Sequence, residues 1–99
     1  MSKKGFIYIL LNPSFVHYVK IGKTQRSSEE RAREIYRQSK TGIPTEFVVA
    51  HDYEVSDCDL VEKLVHEKLK KHRVDNDREF FNIQLKDAIK AIDSVIHDL

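Results

Sequence analysis

Three side chains that bind ions or exchange protons fall in one row on a predicted helix: Glu62, His66 and Arg73. On an ideal wheel of about 100° per residue they lie within about 40° of one another. They flank the apolar face that helical spacing predicts, which consists of Leu60, Val61, Leu64 and Val65. This row combines a carboxylate, an imidazole and a guanidinium at the edge of a core, which is where a functional cleft would have such groups. A polar helix flank without a site is the alternative interpretation.

A second polar group lies at the end of the stretch GFIYILLNPSFVHYVKIGKT, residues 5–24. Its last apolar run finishes in Lys20, Gly22, Lys23 and Thr24, which is unusual for a strand that only packs. Gly22-Lys23-Thr24 resembles the end of a phosphate loop. ATP binding is not expected, however, because no glycine precedes Gly22 by five residues.

The elements that position these residues begin with a hairpin. Asn12-Pro13-Ser14 separates strands predicted at residues 6–11 and 16–21. So short a connection requires an antiparallel pair. Strand alternation then places Val19 and Ile21 on one face, and Lys20 and Gly22 on the other.

Further along the chain, capping-box spacing starts helices at Ser27 with Glu30 and at Ser56 with Asp59. The predicted elements are a helix ending near 41–42, a strand at 46–53, a helix to about 72, a turn at 74–78, a possible edge strand at 79–83 and an amphipathic helix from 85. This order predicts one α+β domain over 1–99, with residues 1–4 as a flexible start. A small antiparallel sheet of about three strands, opening with the hairpin, is flanked by helices.

Composition excludes several classes of protein. The chain has 99 residues, of which 40% are hydrophobic and 33% charged, a composition typical of a globular protein. It has neither a membrane-length apolar run nor a signal-peptide pattern, and Cys58 is its one cysteine, so we expect a cytoplasmic protein with no disulfide framework. The net charge of +1 does not indicate nucleic acid, although cations crowd residues 20–40.

Taken in order along the chain, these residues resemble the GIY-YIG nuclease superfamily, and its small phage-borne DNA-binding branch in particular. Ile7-Tyr8 stands at the end of GIY, and Lys20-Ile21-Gly22 stands at YIG. Arg31 in SSEERAREI matches the first-helix arginine, and Glu62 in DLVEKLVHEKL matches the metal-binding glutamate. The resemblance covers roughly residues 5–96. Phe6 replaces the first glycine of the motif, and Lys20 replaces its second tyrosine.

The resemblance implies a metal-dependent DNA endonuclease in which Glu62 holds one Mg²⁺ or Mn²⁺ ion. It implies that Arg31 and Lys20 or Lys23 neutralise the scissile phosphate, while Tyr8 accepts a proton from water. A tyrosine has a pKa near 10, so that role requires nearby cations that favour its phenolate. The polar strand end would form the floor and rim of the phosphate site, namely Lys20, Gly22, Lys23 and Thr24. His66, Arg73 and Glu79 would be supporting residues.

Tyr8 could also be only a core residue, and Arg31 only a surface residue. Two interpretations of function remain open. One is the endonuclease, and the other is a DNA-binding module that uses the same basic groove without turnover. A protein-interaction domain would need an exposed apolar patch, and the loops offer no candidate. Specificity for a DNA sequence would require a homodimer or a partner domain. For the fold, we predict that Tyr8, Lys20, Arg31 and Glu62 converge on one concave face.

Overall fold

A computed structural model describes residues 3–38, 43–74 and 79–99 of the chain. Its elements are β1 (Gly5–Leu11), β2 (Val19–Thr24), α1 (Ser28–Gln38), β3 (Val48–Val55), α2 (Cys58–Lys68), β4 (Phe80–Phe81) and α3 (Leu85–His97), with a short 3-10 turn at Lys70–His72. The predicted α+β class is therefore confirmed. Within the described ranges, no helix combines the length and the apolar character needed to cross a bilayer.

One antiparallel sheet organises the molecule, with strand order β3-β1-β2-β4. The expected hairpin is present, but β2 begins at Val19 rather than at residue 16. Asn12 is the reason, because its carbonyl accepts from Phe15 N at 2.8 Å and its Oδ1 accepts from Ser14 N at 2.8 Å. These bonds hold the intervening residues in turns and delay the strand. The suspected edge strand is real and is the two-residue β4.

The two faces of the sheet carry separate cores. Ile7, Ile9, Val19 and Ile21 pack with α2 and α3, whereas Tyr8 and Leu10 pack with Ala32 of α1 on the other side. The alternation predicted for β2 is thus confirmed, with Val19 and Ile21 facing α2 and α3. Each face of the central strand is buried, which explains why β1 is an almost continuous apolar run.

Helix α2 presents a different face from the one predicted. Cys58, Val61 and Val65 are buried, whereas Leu60 and Leu64 are 42% and 36% exposed. The helix therefore lies rotated about its axis relative to the face selected from its leucines. Its N-cap is Asp57, whose Oδ1 accepts from Leu60 N at 3.0 Å, so the cap predicted at Ser56 was one residue too early.

Other boundaries also changed. Ser27 caps α1 as predicted, because its Oγ accepts from Glu30 N at 3.1 Å. Strand β3 begins and ends two residues later than predicted, at Val48 and Val55. Residues 1 and 2 of the predicted flexible start lie outside the described residues, and Lys3 O accepts from Cys58 N at 2.9 Å. The end of α1 near 41–42 and most of the turn at 74–78 lie outside the described residues.

Candidate functional site

The centre of the candidate site is a space left by a missing side chain. Gly22 pairs with Tyr8 across the β1–β2 ladder. A Cβ on Gly22 would overlap Tyr8 Oη and Glu79 Oε1, and would lie 2.7 Å from Tyr8 Cζ. Glycine is therefore required so that the phenol and the carboxylate can meet above the strand.

Glu79 joins two of the predicted site residues. Its Oε1 accepts a hydrogen bond from Tyr8 Oη at 3.3 Å and lies 3.6 Å from Lys20 Nζ. Lys20 is only 8% exposed, and its ammonium lies 4.8 Å from the centre of the Phe80 ring. Glu79 was predicted only as a supporting residue, yet it contacts both Tyr8 and Lys20.

The environment of Tyr8 keeps the phenol neutral. Burial raises its pKa, and the negative charge of Glu79 raises it further, while Arg31 opposes both effects. Lys20 does not reverse this balance. In the protein without metal or DNA the net shift therefore favours the protonated form, opposite in direction to the lowered pKa that a proton-accepting Tyr8 requires.

Arg31 reaches the same phenol from α1. Its Nη1 donates to Glu34 Oε1 at 3.2 Å. Burial acts against the charge of Arg31, but its interactions with Glu34 and Tyr8 outweigh burial and raise its pKa. Sequence analysis missed Glu34, although its position three residues after Arg31 on a helix was a usable signal.

Glu62 stands on α2 beside a different set of charges. Its side chain is 21% exposed, and its Oε1 lies 3.9 Å from Lys23 Nζ. Burial raises the pKa of Glu62. The positive charges of His66 and Lys23 lower it, and the negative charge of Glu79 raises it again. The Lys23 ammonium also binds Asp59 Oδ1 at 2.5 Å.

Tyr8 and Glu62 come to the candidate site from different sides of the sheet. Tyr8 packs on the α1 side, whereas Glu62 belongs to a helix that packs on the opposite side. Both lie next to β2, since Tyr8 pairs with Gly22 and Glu62 lies 3.9 Å from Lys23. Convergence of the four proposed catalytic residues on one concave face stays a prediction. In the described chain, β4 pairs with β2 only at Val19 and Lys20, and Glu79 O then accepts from Ile21 N at 2.9 Å. Glu79 raises the pKa of both Tyr8 and Glu62, so its carboxylate links the two groups electrostatically.

His66 and Arg73 both contact Phe81. His66 Nε2 lies 2.9 Å from Ile21 O, so the ring must donate from this nitrogen, and it packs 5.1 Å from the Phe81 ring centre. The Arg73 guanidinium lies 5.8 Å from that centre, over the ring. Arg73 does not continue the Glu62–His66 row as predicted, because α2 ends at Lys68.

Thr24 is oriented towards the loop before α1. It is 8% exposed, and its Oγ1 accepts from Arg26 N at 3.1 Å. The hydroxyl thus fixes the turn that follows β2. Gly22, by contrast, lies against Tyr8 and Glu79, and Lys23 lies beside Glu62.

A divalent metal would have to be held largely by Glu62. In the described part of the chain, no three His, Cys, Asp or Glu side chains are grouped as a ready metal site. Mg²⁺ nevertheless binds proteins through one or two carboxylates and keeps several waters or substrate phosphates as its other ligands. A half-buried carboxylate at the edge of the sheet, with Glu79 in electrostatic range, fits that kind of site.

Comparison with known proteins gives one family. Residues 5–96 match the model of the T5orf172 domain, a phage-associated domain in the HNH/GIY-YIG-like endonuclease-associated group. The assignment to the GIY-YIG superfamily is therefore wrong, since the matching model is T5orf172. No curated protein and no solved structure matches the chain.

Proposed function

Because the chain belongs to the T5orf172 family, a phage-type DNA-binding or nuclease-like domain, we propose that it is a metal-dependent DNA endonuclease. The observation that supports this most is the cluster of Tyr8, Lys20 and Glu79 around the space at Gly22. Glu62 reaches the same edge of the sheet from α2.

Fold stability alone gives little reason for this cluster. Ionic groups taken out of water lose hydration energy, and a well-packed apolar replacement is often as stable or more stable. Lys20 is nevertheless buried beside Glu79, at a place where β2 has few partners among the described residues. Groups arranged in this way suit recognition of a charged ligand at the strand edge.

The chemistry proposed is hydrolysis of a phosphodiester bond. Arg31 and Lys20 stabilise negative charge on the phosphate. As water attacks phosphorus, its proton passes to Tyr8 Oη while the phenol proton passes to Glu79, and the leaving oxygen is protonated from solvent. This relay needs no phenolate beforehand, which agrees with the raised pKa of Tyr8. Mg²⁺ or Mn²⁺ on Glu62 would supply Lewis-acid stabilisation of charge on the phosphate oxygens.

The test is cleavage of supercoiled and branched DNA with and without Mg²⁺ or Mn²⁺. We expect metal-dependent nicking by the wild type, and its loss in Glu62→Ala and in Tyr8→Phe. Glu67→Gln is the matched control, because Glu67 is an exposed carboxylate on the same helix that pairs with Lys70. Absence of nicking under every metal would overturn the endonuclease.

A second candidate is the DNA-binding module without turnover. One observation favours it: the described residues contain no grouped set of three metal-ligating side chains. It predicts that wild type and Glu62→Ala bind DNA alike and that neither one cuts.

A further inference from the structure

Two adjoining cavities lie at the other end of β2, away from Tyr8 and Glu62. The larger has a volume of about 780 Å³ and opens between the hairpin loop and the start of α3. The smaller, of about 330 Å³, lies beside the 3-10 turn. Tyr18, His72 and Asn82 line both cavities, so the two form one continuous surface.

The charges around this surface are mainly positive. Lys86 lines the larger cavity, and Lys71 and Arg73 line the smaller. Among the described lining residues the opposing carboxylate is that of Asp87. Arg73 is held over the Phe81 ring, so its guanidinium has a defined place.

Tyr18 supplies an aromatic surface among these cations. Tyr18 is half-buried and lines both cavities. Aromatic rings beside phosphate-binding cations are the usual means of holding unpaired nucleotides, since each base stacks while its phosphate is neutralised. Asn82 and the two histidines, His17 and His72, add groups that can hydrogen-bond a base.

The surface is also correctly placed relative to the candidate site. Tyr18 precedes Gly22 by four residues, which is about 13 Å along an extended strand. That distance corresponds to about four stacked nucleotides at about 3.4 Å each. One DNA strand could thus contact both places.

We propose that these cavities bind unpaired nucleotides of single-stranded DNA, with Tyr18 stacking on a base and Lys71, Arg73 and Lys86 binding phosphates. The proposal rests on the proposed function for its choice of DNA, but not for cleavage. The preferred substrate is then a duplex that carries a single-stranded extension.

Binding in metal-free buffer tests this directly. Fluorescence anisotropy should show that the wild type binds a labelled oligothymidylate, and a duplex with a thymidine overhang more tightly than the blunt duplex. Tyr18→Ala should weaken binding to the oligothymidylate about tenfold, and Tyr18→Phe should restore it. Lys86→Gln should lower the slope of log affinity against log salt by about 1. Lys90→Gln, an exposed lysine one turn further along α3 that lines neither cavity, should change nothing.

The outcomes separate the two proposals. Equal affinity of folded Tyr18→Ala and Tyr18→Phe for the oligothymidylate, or tighter binding of the blunt duplex, overturns the single-strand site even if the protein cuts DNA. Tyr18-dependent binding by a protein that never cuts supports the single-strand site and overturns the endonuclease. Circular dichroism of each variant distinguishes a lost contact from a lost fold.

Discussion

At the residue scale, Gly22 is the position that constrains the candidate site most tightly. The carboxylate of Glu79 is the end of a flexible chain and could move away from an added methyl group. Tyr8 could not move as easily, because its ring is 1% exposed within the α1-side core. Gly22→Ala should therefore destabilise the protein by about 1–3 kcal/mol, as overpacking does.

Urea denaturation measures this effect, and a double-mutant cycle identifies its source. If the methyl group acts on the phenol, Gly22→Ala should cost less in a Tyr8→Leu background than in the wild type. A Gly22→Ala protein with unchanged stability and unchanged DNA cleavage would show that the space is not needed.

The buried phenols give a prediction for alkaline pH. Burial raises the pKa of both Tyr8 and Tyr53, and the acidic neighbours Glu79 and Asp93 add to it. A group whose pKa is raised by folding contributes stability that is complete below the unfolded pKa, about 10, and is lost as pH rises above it. The free energy of unfolding should thus fall with pH above about 10, and less steeply in Tyr8→Phe. Equal slopes for Tyr8→Phe and wild type in urea melts would contradict the assignment to Tyr8.

At the scale of elements, the carboxylate of Glu34 makes the shortest contacts between the loop after β2 and α1. Glu34 accepts from Arg26 in the loop and from Arg31 on the helix. These bonds, that from Arg26 foremost, lower the pKa of Glu34 from 4.5 to about 2. A lowered pKa contributes stability that is present above the unfolded value and is lost as pH falls through the folded value.

The stability of Glu34→Gln should therefore fall less than that of the wild type between about pH 4.5 and about pH 2. It should also slow DNA cleavage, because Arg31 would lose the partner that orients it towards Tyr8. Thermal melts across that pH range give the first result. Glu30→Gln is the control, since Glu30 contacts the same Arg26 at a longer distance of 3.8 Å. If both variants behave alike, Glu34 has no special role.

The elements also show what the sequence could and could not predict. Strand alternation correctly separated Val19 and Ile21 from Lys20, because a period of two follows from backbone geometry alone. Glu79 was underrated because it lies 71 residues from Tyr8, and no local spacing reports such a contact. The buried face of α2 was predicted incorrectly for a similar reason. Packing against the sheet buries Cys58 and leaves Leu60 exposed, and helical spacing alone does not report that packing.

At the scale of the whole molecule, charge is balanced rather than concentrated. The net charge is +1, and three cations of the candidate site have a carboxylate beside them. Lys20 is beside Glu79, Lys23 is beside Glu62, and Arg31 is beside Glu34. A phosphate approaching this site meets paired charges, so the protein without metal should attract DNA there only weakly.

A divalent cation would change that balance, and DNA binding should report it. At constant ionic strength, Ca²⁺ used in place of Mg²⁺ should tighten binding of a short duplex by about tenfold or more, because it adds positive charge beside the phosphates. Glu62→Ala should lose this gain. Without metal it should bind as tightly as the wild type or more tightly, since the lost carboxylate repels phosphate.

Titrations in EDTA and in Ca²⁺, each at several salt concentrations, measure both effects, with Glu67→Gln as the matched control. Each phosphate contact should contribute about 0.9 to the slope of log affinity against log salt. A Ca²⁺ gain that survives in Glu62→Ala would place the metal elsewhere. Binding that does not respond to salt would remove DNA itself as the ligand.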